Sequence, residues 1–128
     1  MSYTARAIVE IVGSPEEHIK KVLEDVQKHL KTEQNIKIIS SEPSEVEKLE
    51  TGDMFSGFLD IEFKVENLSG LSQFCMEYMP ASIEIVDVDK LTLNTSEMNN
   101  LFNDFLSKLH HYNLALFNAV NETKKKQN

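Results

Sequence analysis

The chain begins with an alternation of apolar and polar side chains that predicts a β-strand over residues 3–12. Apolar residues share one face of this strand: Ala5, Ala7, Val9 and Ile11. The other face is mostly charged: Arg6, Ile8 and Glu10. A period of two with one apolar side is typical of a strand that buries one face and leaves the other partly wet.

The spacing then changes from two to about 3.6 residues, which predicts a helix ending near Thr32. Gly13 ends the strand, Ser14 is the expected N-cap, Pro15 takes the first helical position and Glu17 completes a capping box. The apolar positions form one stripe: Ile19, Val22, Leu23, Val26 and Leu30.

The middle of the chain predicts two more strands, over residues 35–41 and 55–65. The second has the clearest alternation, with an apolar set on one face: Phe55, Leu59, Ile61, Phe63 and Val65. Between the strands, residues 40–53 are hydrophilic. We expect them to form a long hairpin loop, or an extension with a helical turn around residues 44–49.

Another helix and strand precede a long C-terminal helix. Asn67 is the expected N-cap of the second helix, which Pro80 ends and whose apolar stripe is Leu71, Phe74, Cys75 and Tyr78. A fourth strand is predicted over residues 82–88, with Leu91 and Leu93 as a possible extension of the edge. Thr95 or Ser96 is the expected cap of the last helix, which runs to about residue 123.

The resulting order β-α-β-β-α-β-α indicates an α+β protein. Its first six elements, over about residues 3–93, resemble the ferredoxin-like βαββαβ fold, an antiparallel four-stranded sheet with two helices on one face. The last helix is additional. The element order also resembles ACT-type regulatory domains, which implies a small effector near the first strand-to-helix turn. Here that turn contains Gly13 and Ser14, beside a helix N-terminus that could receive a carboxylate.

The last helix has a wide apolar face. Its apolar residues repeat at alternating spacings of four and three, as in helices that pack along a seam: Met98, Phe102, Phe105, Leu109, Tyr112, Leu116 and Ala119. Further apolar residues widen the stripe to about 160°, more than one packing surface requires. We therefore expect an oligomer interface at Phe102, Phe105, Leu109, Tyr112, Leu116 and Phe117. The alternative is a helix that closes only its own sheet.

Composition and charge limit the function further. The chain has 128 residues, a net charge of −8 and a pI near 4.9, which disfavour nucleic acid and anionic membranes as partners. It shows neither a signal-peptide pattern nor an apolar run of the roughly 18 residues that span a bilayer, so we expect a cytoplasmic protein. The predicted organisation is a single domain over residues 1–123 and a basic disordered tail at 124–128.

No catalytic motif stands out. The glycines are scattered, Cys75 is the only cysteine and lies on a helix stripe, and neither the pair His110 and His111 nor the pair His18 and His29 has chelating spacing. The sequence therefore predicts a non-enzymatic protein without metal or cofactor, although an enzyme with an unrecognised site stays open.

The acidic stretch is a second candidate contact surface. It combines five acidic residues with a nearby aromatic on the polar face of its strand: Glu42, Glu45, Glu47, Glu50, Asp53 and Phe58. An exposed aromatic beside acidic side chains is a plausible patch for a protein partner. The leading hypothesis is thus a small oligomerising or protein-interaction module, and the alternative is an ACT-like domain that binds a small ligand.

Overall fold

The computed structural model describes the backbone of residues 2–127 and the side chains of residues 2–123. Its elements in chain order are β1 (Tyr3–Gly13), α1 (Glu16–Leu30), β2 (Ile36–Pro43), β3 (Glu47–Lys48), β4 (Phe55–Val65), α2 (Leu68–Tyr78), β5 (Ser82–Ile85) and α3 (Thr95–Gln127). They form two compact units: residues 1–91 contain the sheet with α1 and α2, and residues 92–128 contain α3.

The sheet confirms the predicted ferredoxin-like arrangement. Its strand order is β2-β4-β1-β5, every neighbouring pair is antiparallel, and the short β3 pairs with the start of β4. The two longest strands, β1 and β4, lie in the centre and pair along their whole length, from Tyr3 opposite Val65 to Gly13 opposite Phe55. Each helix connects an inner strand to an outer strand, so α1 and α2 can cover the same face.

That covered face holds the core. Odd-numbered residues of β1 and β4 are buried there against α1 and α2: Tyr3, Ala5, Ala7, Val9, Leu59, Ile61, Phe63 and Val65 on the strands, and Ile19, Leu23, Leu30 and Phe74 on the helices. The rings of Phe63 and Phe74 lie 4.4 Å apart between centroids. The alternation read from the sequence therefore places the correct side chains inside.

The even-numbered side chains of β1 and β4 lie on the other face, and one ion pair joins the two strands there. Arg6 donates to both carboxylate oxygens of Asp60, from Nε at 3.0 Å and from Nη2 at 2.6 Å. The hydrogen bond from Arg6 lowers the pKa of the Asp60 carboxyl below its ordinary value. The pair is partly solvated, so it contributes little to stability.

The depressed pKa of Asp60 predicts an acid-dependent contribution to stability. Because the folded pKa is lower than the unfolded one, this contribution is complete above about pH 4 and is lost as the pH falls through the folded pKa. We expect Asp60→Asn to unfold at lower urea than the parent protein at neutral pH, with the difference shrinking in acid. Asp25→Asn, an exposed carboxyl on α1, is the control. A pH-independent difference would contradict this explanation.

The start of α1 differs from the prediction. Pro15, not Ser14, occupies the N-cap, and its carbonyl accepts from the backbone N–H groups of His18 and Ile19. A proline side chain has no acceptor, so the helix has no side-chain cap and Glu17 has no capping box to complete. The predicted N-cap of α1 was therefore wrong by one residue.

The start of α2 confirms the prediction. The side-chain oxygen of Asn67 accepts from the backbone N–H of Gly70 at 2.9 Å. We expect Asn67→Ala to lower the free energy of unfolding by about 1 kcal/mol in urea denaturation, because that N–H loses its partner. Ser14→Ala is the matched control and should cost only a few tenths of that amount. Equal losses for the two variants would contradict the assignment of these caps.

The acidic stretch is an extension of the β2–β4 hairpin, and the helical turn considered for residues 44–49 is absent. The backbone N–H of Ser44 donates to the carbonyl of Phe58 at 2.8 Å. The hydroxyl oxygen of Ser44 in turn accepts from the backbone N–H of Phe58 at 2.9 Å. Val46 packs against the core, and Glu47 and Lys48 pair with Ser56 and Phe55 as β3. Pairing with β4 therefore outweighs the weak local preference for a helical turn.

The segment between the last strand and α3 also differs. β5 ends at Ile85, so Leu91 and Leu93 do not extend the sheet edge. Val86 still donates to the carbonyl of Thr4, and hydrogen bonds from Thr4 lower the pKa of the Asp87 carboxyl. In this register Leu91 and Leu93 would lie beyond Tyr3, the first residue of β1, so that strand offers them no partner.

The helix α3 spans 33 residues, which corresponds to about 50 Å. Its cap is Asn94 and not Thr95 or Ser96: the Asn94 side chain accepts from the N–H of Glu97 and donates to the Glu97 carboxylate, both at 2.8 Å. This exchange satisfies both side chains, as in a capping box. The helix continues to Gln127. The side chains of the predicted tail, residues 124–128, lie outside the described part of the chain.

Candidate functional site

The first candidate site is the apolar face of α3. The six residues predicted as an interface all lie on this helix and are exposed: Phe102, Phe105, Leu109, Tyr112, Leu116 and Phe117. Leu109, Leu116 and Phe117 each leave more than 60% of their surface accessible. Over residues 95–123 no side chain of α3 is buried. Large contiguous apolar surfaces of this kind are typical of interaction sites.

The charges of α3 are separated from its apolar face. At about 100° per residue, Glu97, Asp104, Lys108 and Glu122 fall within about 40° of one another, beside one edge of the apolar arc and outside it. The Lys108 ammonium lies 5.4 Å from the centroid of the Tyr112 ring, at the edge of that arc. Over residues 95–123, the arc itself therefore contains no charged residue, so pairing it with another surface would bury no unpaired charge.

The second predicted surface is the acidic edge of the hairpin. Each of its residues is exposed: Glu42, Glu45, Glu47, Glu50, Asp53 and Phe58. Phe58 lies on the face of β4 opposite α1 and α2 and exposes 44% of its surface, whereas Phe55 packs against the core. A groove of 430 Å³ between α1 and this hairpin is also lined by acidic residues, including Glu16 and Glu24. Contact with a partner at this edge stays a prediction.

The glycine in the first strand-to-helix turn is explained by packing between α1 and β1. A Cβ atom at Gly13 would lie 3.0 Å from Cδ1 of Ile19, so the glycine allows α1 to pack close to the end of β1. Glu16 and Glu17 occupy the first turn of α1. Their carboxylates are favourable at a helix N-terminus but would repel an anionic ligand there. A ligand site at Gly13 and Ser14 stays a prediction without support from this geometry.

The fold also brings together three side chains of types that can ligate a metal ion, which their positions in the sequence do not connect. His29 Nε2 lies 3.2 Å from Oε1 of Glu77 and 3.5 Å from Oε1 of Glu33. One ligand atom from each residue lies within 4.8 Å of the other two. His29 is in the last turn of α1, Glu33 follows it, and Glu77 is near the end of α2.

Part of this cluster could have been found from the sequence. His29 and Glu33 are four residues apart, a spacing that brings two side chains together along one side of a helix. Glu77 is distant in sequence and approaches only because this part of α2 packs beside the end of α1, where the rings of His29 and Tyr78 lie 6.0 Å apart. Spacing between histidines alone does not reveal a cluster made of one histidine and two carboxylates.

Tyr78 connects this cluster to the core. Its hydroxyl donates to Oε1 of Glu33 at 2.8 Å, and its ring packs 5.0 Å from that of Phe74. Burial and the neighbouring Glu33 raise the pKa of the Tyr78 hydroxyl, so it stays protonated at neutral pH. Cys75, one turn earlier, is half-buried, and burial raises the pKa of its thiol. Neither group is activated as a nucleophile.

Comparison with known proteins places the chain in a family. The MJ0538 family model matches residues 4–127. The chain belongs to the MJ0538 family. The matched region includes both compact units, so α3 belongs to what the family shares. No helix in the described part of this family member is long and apolar enough to cross a membrane.

A curated relative is an uncharacterized protein of Methanocaldococcus jannaschii that carries the family's name, MJ0538. It is 26% identical over 95 residues, which cover 74% of this chain and 36% of the relative. The chain thus spans about a third of the length of the curated relative that it matches. No solved structure matches this member of the MJ0538 family.

Proposed function

We propose that this protein is a non-enzymatic module that associates with a second copy of itself through the apolar face of α3. The observation that carries the proposal is the exposed arc of apolar side chains, which contains no charged residue over residues 95–123 and repeats at the four-three spacing of packed helices. Such a repeat is complementary to a copy of itself, because each apolar side chain of one helix can insert into a hole between side chains of the facing helix.

The distribution of charge along α3 favours an antiparallel arrangement. The helix begins with Glu97 and Asp104, and the sequence places three lysines at positions 124–126. An antiparallel pair would bring the basic end of one helix beside the acidic start of the other. The helix dipoles would also oppose each other in this arrangement, which is the favourable one.

Burial of the arc supplies the free energy of association. A fully buried Leu or Phe side chain contributes about 1.5–3 kcal/mol relative to an exposed one. Several of them from each copy can offset the entropy lost on association. The same side chains left in water would make the protein prone to nonspecific aggregation.

The solution mass tests this proposal. Light scattering after size exclusion, over a series of concentrations, should give twice the chain mass of 14.6 kDa, with a monomer emerging only on dilution. A constant mass of 14.6 kDa at every concentration would contradict self-association. The search for a partner of α3 would then turn to other proteins.

A further inference from the structure

The cluster of His29, Glu33 and Glu77 has the geometry of a metal site. The distances from His29 Nε2 to the two carboxylate oxygens are 3.2 and 3.5 Å. A divalent ion bonded at about 2.1 Å holds neighbouring ligand atoms about 3.0 to 3.4 Å apart in octahedral or tetrahedral geometry. The two carboxylate oxygens lie within 4.8 Å of each other, so rotation of the glutamate side chains would bring all three ligand atoms around one ion.

The surroundings of the cluster favour a cation and hold one ligand in place. His29 is in the last turn of α1, and Glu77 is next to the last residue of α2, so both lie at helix ends where the helix dipole is negative. The Tyr78 hydroxyl donates to Glu33, whose side chain is only 22% exposed. Hydrogen bonds of this kind orient the ligands of metal sites.

The donor set indicates the class of ion. One imidazole nitrogen and two carboxylate oxygens suit zinc and the other divalent first-row transition metals. Calcium and magnesium prefer oxygen ligands alone. Three protein ligands would leave at least one position for water. His29 and Glu77 are about half exposed, so an ion can reach the site from solvent.

We propose that His29, Glu33 and Glu77 bind one divalent transition-metal ion, with Zn²⁺ as the representative. The ion would join the end of α1 to the end of α2 within residues 1–91. This site is separate from the apolar face of α3, so neither proposal depends on the other. The competing explanation is an ion pair between a protonated His29 and the two glutamates.

Calorimetric titration with Zn²⁺ distinguishes these explanations. The full chain should bind one Zn²⁺, and Glu77→Gln and His29→Gln should each weaken that binding at least roughly tenfold. Glu77→Gln keeps the shape of an exposed side chain and should leave the fold intact, which circular dichroism verifies. The matched controls are Glu84→Gln and His18→Gln, exposed residues of the same types outside the cluster.

A second measurement locates the ion. In a nitrogen-15 spectrum of the histidine rings, Zn²⁺ should shift the Nε2 signal of His29 while the signals of His18, His110 and His111 stay in place. Binding that is equally strong in Glu77→Gln, or that shifts the other histidines instead, would overturn the site. Absence of Zn²⁺ binding by the full chain would leave the ion pair as the explanation.

Discussion

Replacing Leu109 and Leu116 together with glutamate is expected to convert the associated protein into a monomer of 14.6 kDa. Both leucines are exposed on α3, near the middle of the apolar arc. Each substitution removes about 1.5–3 kcal/mol of apolar burial and brings a charge into the interface. The dissociation constant should rise by roughly 100-fold or more. Light scattering over a concentration series measures this change.

The opposite side of the same helix provides a matched control. Ser107→Glu and Asn118→Glu add the same two charges to α3, about 180° from the apolar arc. This variant should keep the mass of the parent protein, and circular dichroism should show equal helix content in both variants. Dissociation by both pairs would indicate a general effect of charge. Unfolding by the leucine pair alone would show that α3 supports the fold of a single copy.

The largest loss of stability is expected from Phe63→Ala. Phe63 is fully buried near the C-terminal end of β4, opposite Ala5 of β1, and its ring packs on Phe74. Removing a buried phenylalanine side chain costs about 3–5 kcal/mol, because apolar contacts are lost and a cavity remains. That is a large fraction of the roughly 5–15 kcal/mol that stabilises a typical domain. Urea denaturation at constant protein concentration measures it.

Phe58→Ala makes the same chemical change on the same strand, but on the face opposite α1 and α2. Because Phe58 is 44% exposed, its removal should cost about 1 kcal/mol or less. A loss equal to that of Phe63→Ala would show that the protein in solution buries Phe58. A small loss for Phe63→Ala would contradict the placement of the core.

The sequence predicted those parts of the fold that depend on periodicity. The alternation in β4 identified Phe63 as core and Phe58 as exposed, and the helical stripe identified Ile19, Leu23 and Leu30 as buried. These predictions succeed because side-chain direction follows directly from the period of the element. The strand order then followed from the resemblance to the ferredoxin-like fold.

Features set by tertiary contacts were not predictable in the same way. Ser14 has a good capping side chain, but α1 begins one residue after Pro15 instead. The helical turn considered at residues 44–49 gave way to hydrogen bonds with β4. In each case the local preference is worth about 1 kcal/mol, which a few tertiary contacts can exceed.

The two candidate sites also differ in whether the sequence alone could predict them. The apolar face of α3 was visible because it lies on one continuous helix. The metal-ligating cluster was missed because Glu77 is 48 residues from His29, and only the packing of α1 and α2 brings them together. Periodicity identifies surfaces within one element, whereas clusters between elements require the fold.

Isotope-filtered nuclear Overhauser spectra of a mixture of carbon-13-labelled and unlabelled protein test the central claim most directly. They report only contacts between two copies of the chain. We expect contacts between the methyl groups of Leu116 in one copy and the ring protons of Phe102 or Phe105 in the other. Absence of any contact between copies, or contacts confined to Phe58 and the hairpin, would contradict self-association through α3.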